Sequence, residues 1–148
     1  MTLCDYFSAV DDRTAAAVVE RPGGPAESGF DVVHLKNIDP VVAIAQLEAV
    51  LTNCTYEEAG RRPRAGQLLS SPQDEGPFVF SLSDTLVEAL ARATRADFVR
   101  AAERWSATAE PAQLRLDERA ALGVLEALAA LAGRARAGGL GVYCWWAL

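Results

Sequence analysis

The chain begins and ends in aromatic, β-leaning segments, and this bracketing constrains its fold more than any short motif does. Leu3-Cys4-Asp5-Tyr6-Phe7-Ser8-Ala9-Val10 opens it, and Leu140 to Leu148 closes it. In the closing segment Tyr143 and Trp145 point one way and Val142, Cys144 and Trp146 the other, because successive strand side chains alternate between faces. Apolar residues on both faces predict a central strand, with the two ends of the chain lying side by side. A third strand-like run, Pro77-Phe78-Val79-Phe80-Ser81, sits mid-chain.

Helical signals fill the space between. Asp11 or Asp12 can cap a short helix over Arg13 to Glu20, which the Pro22-Gly23-Gly24-Pro25 cluster ends, leaving a loop to about Gly29. Asp39-Pro40 starts another, whose Val41, Ile44, Leu47, Val50 and Leu51 form one apolar stripe. Ser83 caps a third, Thr94 with Asp97 forms a capping box for a fourth, and Asp117 starts the longest, which buries Leu122, Leu125, Leu128 and Leu131. Phe30-Asp31-Val32-Val33-His34-Leu35 fits either a strand or one helical turn, and both readings stay open. The stretch from Thr52 to Pro77, rich in Gly, Pro and charge, reads as a long irregular loop of the kind that carries contacts. These elements predict an α+β fold in which a small mixed or antiparallel sheet of about three strands packs with four to five helices. At 148 residues one domain is expected, spanning 1–148.

Composition narrows the function classes. With 14 basic residues against 20 acidic ones, a net charge of −6 and a pI near 4.8, the chain lacks the basic excess that binds a duplex or an anionic bilayer, so neither nucleic acid nor membrane is expected as a partner. The N-terminus shows no basic region followed by an apolar one, and the most apolar window, Ala120 to Ala132, falls short of a bilayer span; the reading is cytoplasmic. Three widely spaced cysteines without CxxC fit reduced thiols. A metal site could only be assembled in space, from Cys4, Cys54, Cys144 and His34, and none is expected. GxxxxGK[ST] and GxGxxG are both missing, so no cofactor is expected either.

Four groups of residues could carry chemistry or recognition. His34, the lone histidine, could take a proton from Cys4, Cys54 or Cys144, with Asp5 or Asp31 orienting the imidazole. The bland reading gives inert thiols and a hydrogen-bonded structural histidine. Paired carboxylates (Asp11 with Asp12, Glu57 with Glu58, Asp74 with Glu75) could divide acid and base roles only if burial separated their pKa values, and adjacent acids in loops are ordinarily solvated charge. Arg61, Arg62 and Arg64 place three forked donors in the long loop beside Tyr56, Glu57 and Glu58, and these six residues are the candidates for partner contact. Lastly, Tyr6, Phe7, Phe78, Phe80, Tyr143, Trp145 and Trp146 outnumber what one buried sheet face needs, so some could line a ligand pocket.

The opening strand ending in Tyr6-Phe7, the acid and short helix after it, the Asp31-Val32-Val33-His34-Leu35 segment and the final helix running into a terminal strand resemble the YfbM-like family of small uncharacterised bacterial proteins. Unlike that pattern, this chain lacks a tryptophan before the His34 segment and ends in a more aromatic Tyr143-Cys144-Trp145-Trp146. The resemblance implies an α+β domain and supplies no catalytic residues. The expectation that follows is a non-catalytic protein-interaction or regulatory module, toxin neutralisation included, that engages a partner protein through the 54–77 loop. The rival is a small-molecule binder or enzyme of specialised metabolism using an aromatic pocket with His34 and a cysteine. A homo-oligomeric structural subunit is a third reading.

Overall fold

The computed structural model describes residues 2–71, 75–108 and 116–147. The opening segment forms β1 (Leu3–Ala9) and the closing one β5 (Gly141–Ala147), paired antiparallel with Tyr6 opposite Cys144 and Phe7 opposite Tyr143. The ambiguous segment becomes strand β2 (Val32–Lys36) on the outer side of β1, while β4 (Phe78–Ser81) flanks β5 and a two-residue β3 (Gln67–Leu68) completes the other edge. The sheet therefore has five strands in the order β2-β1-β5-β4-β3, all antiparallel, with β5 at its centre.

Among the described residues there are seven α-helices: α1 (Asp12–Ala16), continued by a 3-10 turn over Ala17–Glu20, α2 (Gly24–Glu27), α3 (Val42–Thr52), α4 (Tyr56–Gly60), α5 (Asp84–Arg92), α6 (Arg95–Ser106) and α7 (Glu118–Ala137). The α+β class holds, and the counts of about three strands and four to five helices are corrected upward. The Gly-Pro cluster that ends the first helix also starts α2, with Gly23 left-handed and Pro25 in the first turn, where its missing N–H removes no bond. The expected irregular stretch likewise contains α4 and β3.

The caps act locally and fall where the sequence puts them. Asp11, Ser83, Thr94 and Asp117 each accept a backbone N–H in the first turn of α1, α5, α6 and α7, and Thr94 with Asp97 closes a capping box. Asp39 accepts from the amides of Val41, Val42 and Ala43, although regular helix begins only at Val42. Val41 is 44% exposed and drops out of the predicted stripe.

The sheet separates two cores. On one face Cys4, Tyr6, Val142 and Cys144 pack against α3, α5, α6 and α7, with Leu47, Leu86, Trp105, Leu125, Leu128 and Leu131 essentially buried. The three buried leucines of α7 contribute roughly 5–9 kcal/mol as an upper bound, comparable with the net stability of a whole small domain, so α7 is integral to the fold. Trp105 Nε1 donates to the Ala43 carbonyl at 3.1 Å and thereby fixes α6 against α3. On the other face Phe7, Ala9, Val79 and Tyr143 meet Ala15 and Val18 of the short N-terminal helical unit.

Candidate functional site

Glu48 lies on the apolar side of α3, only 2% exposed. A buried carboxylate needs donors, and it has three: Ser83 Oγ, Thr85 Oγ1 at 2.7 Å and Arg62 Nη1 at 2.7 Å. Arg62 Nη1 also donates to Thr52 Oγ1 at 3.0 Å, so the guanidinium is tied to both ends of the last turn of α3. Two residues on, Arg64 takes the left-handed conformation (φ 70°) and turns the other way. Its Nη1 and Nη2 donate to the two oxygens of Asp12 at 2.8 and 2.7 Å, and its carbonyl accepts from Ser81 Oγ at 2.7 Å. Tyr143 donates its hydroxyl proton to Asp12 Oδ1 at 2.8 Å, and Asp84 lies 3.8 Å from Arg64 Nε. The bonds from Arg64 and then Tyr143 hold the Asp12 carboxyl below the usual carboxylate range, while burial and the bond to Asp12 push the Tyr143 phenol up to about 12.

These two anchors tie the segment after α4 to the last turn of α3 and to α1. Gly66 (φ 56°) completes the approach, since a Cβ there would lie 3.1 Å from the Pro40 carbonyl oxygen. Between α3 and α4 remains a cavity of about 310 Å³ with Pro40, Val41, Ile44, Ala45 and Ala65 as its apolar walls, and Glu48 and Ser83 also border it. Tyr56, Glu57, Gly60 and Arg61 border the same cavity from α4 and the turn after it. Tyr56 is 40% exposed, so it and Val41 are large apolar groups held at the surface where the cavity opens. Apolar walls beside charged groups suit an inserted apolar side chain. Glu48 is unsuited to act as a base there, because its oxygens are already engaged by three donors.

The six partner-contact candidates are thus divided. Tyr56, Glu57 and Arg61 border the cavity and Glu58 is exposed on α4, whereas Arg62 and Arg64 are spent on intramolecular pairs. The catalytic candidates are divided too. His34 and Asp5 face each other across β2 and β1, with Nδ1 to Oδ1 at 3.1 Å, and the imidazole is 65% exposed. Cys4 and Cys144, one residue out of phase, are buried on the helix-covered face. Within that pair, a hydrogen bond from Cys144 lowers the Cys4 thiol, while burial pushes Cys144 up. Cys54, half-buried at the end of α3, has its sulfur 3.3 Å from Thr52 Oγ1, and Asp31 pairs with Arg134 at 2.6 and 3.1 Å. The predicted thiol, histidine and acid are therefore not brought together, because strand alternation puts the sheet between His34 and the buried thiols.

Of the acid pairs, Asp11 is a helix cap, Asp12 holds Arg64, and Glu57 and Glu58 are exposed; Glu75 is exposed and Asp74 lies outside the described residues. The aromatic surplus lines a smaller cavity of about 210 Å³ through Phe78 and Trp146, with neither His34 nor a cysteine in its wall. Among the described residues no cluster of three or more His, Cys, Asp or Glu side chains is placed to hold a metal, and no helix is long and apolar enough to cross a membrane.

Sequence reasoning missed Glu48, although a signal was present. Ile44, Leu47, Glu48 and Leu51 follow i, i+3, i+4, i+7, which places a carboxylate on the buried face of α3 and so demands a cationic partner. No family model, curated protein or solved structure matches the chain.

Proposed function

We propose that this chain is a non-catalytic interaction module that works in the cytoplasm and engages a partner protein through the cavity between α3 and α4. The partner inserts one apolar side chain between Val41 and Tyr56, and Glu57 and Arg61 meet its polar groups. The observation that carries this reading is the coincidence, at one cavity, of two exposed large apolar residues with charged side chains that make no ion pair among the described residues, the composition of an interface anchor pocket. Regulation by occupying a partner, toxin neutralisation included, is the class of role such a module serves. The kinship with YfbM-like proteins is part of the same proposal and rests on the paired terminal strands.

A photo-crosslinking amino acid at position 56 tests the reading in cells. A discrete adduct with a different protein is expected, and Gly60→Trp should abolish it by filling the cavity, since a Cβ at Gly60 meets no atom within 4 Å. The same crosslinker at Val99, exposed on α6, should give no such adduct. An adduct that survives Gly60→Trp, or none at position 56, refutes the reading; an adduct with a second copy of this chain supports the oligomeric subunit instead.

A further inference from the structure

On the other side of α3 a larger cavity of about 510 Å³ opens between the C-terminal ends of α3 and α5 and one face of α6, bordered by Arg92, Arg100, Arg104, Asp97 and Asn53 above small apolar side chains. Positions 97, 100 and 104 share one face of α6, so Arg100 and Arg104 stand one turn apart as like charges, and Arg92 joins them from α5. We infer that this groove binds a small organic anion carrying several charged oxygens, a phosphate ester or a polycarboxylate.

Three observations carry the inference. First, acid does not balance the wall. Asp97 is its one carboxylate, and it is engaged by the Thr94 amide at 2.8 Å and by Arg100. Second, the guanidinium groups are available. Arg104 makes no ion pair among the described residues, and Arg92 and Arg100, each 71% exposed, are held only by single-turn surface pairs to Glu88 and Asp97. Such pairs are worth little, so an incoming anion displaces them at small cost. Third, the number of cations exceeds what the helix ends require. A single arginine would offset the carbonyl ends of α3 and α5, whereas three forked donors over one groove in a chain of net charge −6 exceed that need. The volume falls in the range of small-molecule sites.

Titration calorimetry at low salt, with pyrophosphate and with citrate as probes, tests this on the whole chain. Saturable one-to-one binding of at least one probe is expected. The double variant Arg100→Gln with Arg104→Gln should weaken it at least tenfold at an unchanged melting temperature, because both side chains are exposed. Arg61→Gln, outside the groove, should leave it unchanged. Binding of pyrophosphate alone assigns the phosphate class, and binding of citrate alone the polycarboxylate class. Heat without saturation for both probes, or equal binding by the double variant, overturns the inference. Neither result bears on the cavity between α3 and α4, which Arg100 and Arg104 do not border.

Discussion

Arg62 and Arg64 stand two residues apart in one turn and are paired in opposite surroundings. Arg62 reaches a carboxylate with 2% of its side chain exposed, whereas Arg64 reaches one with 46% exposed. Both pairs are short, so distance alone does not rank them. The difference lies in what remains when a partner is removed: Glu48 would be left buried without its cation, while Asp12 would be rehydrated. The first pair supports the core, and the second sets how the turn lies against the N-terminal helical unit.

Breaking the buried pair should give the largest effect. Arg62→Ala should cost about 3 kcal/mol in urea unfolding, because an unpaired buried carboxylate remains. Glu48→Leu combined with Arg62→Met should cost less than Arg62→Ala alone, since no stranded charge is left. At the open pair, Asp12→Ala should cost only about 1 kcal/mol, after allowance for solvent screening.

The same contrast has a pH signature. The Asp12 carboxyl sits below its unfolded value, so its contribution is present above about pH 3.9 and is lost as pH falls through the lower folded value. Asp12→Asn should flatten the fall in stability in that acid window. Tyr143 gives the alkaline counterpart. With the phenol raised to about 12, its contribution is intact below about pH 10 and is lost as pH rises through 12. Ultraviolet titration should show the Tyr143 phenol ionising near pH 12 in the wild type, and Tyr143→Phe should reduce the late absorbance change by one phenol while Tyr6, which burial also raises, still ionises late. The smallest effect belongs to Arg61, which has no ion pair among the described residues; Arg61→Ala should shift stability by less than about 0.5 kcal/mol.

What could be read from sequence was whatever one element decides alone. The caps Asp11, Ser83, Thr94 and Asp117 act within a single turn, and the Leu125, Leu128, Leu131 spacing of α7 needs only helical periodicity. The alternation of β5 was legible for the same reason. Strand β2 was not, because a short segment whose apolar residues are Val32, Val33 and Leu35 fits either period until β1 pairs with it. Strand β3 exists only through its register with β4. Arg64 and Asp12 are 52 residues apart, and nothing local shows that two of three clustered arginines turn inward. Three of the six candidate contact residues, Tyr56, Glu57 and Arg61, border the cavity, while Glu48, to which Arg62 is paired beside it, passed for an ordinary helix position.

The turn after α4 is a pinned wall of the cavity rather than a free loop. Hydrogen exchange at the amides of Gly66 and Leu69, which donate to the Ser81 and Val79 carbonyls at 3.1 and 2.8 Å, reads it directly. In the wild type both should exchange slowly, in step with the β4 amides, and Arg62→Ala should release them. Exchange of both in the wild type at the rate of an unstructured chain would mean that the turn is free and the cavity has no fixed wall there.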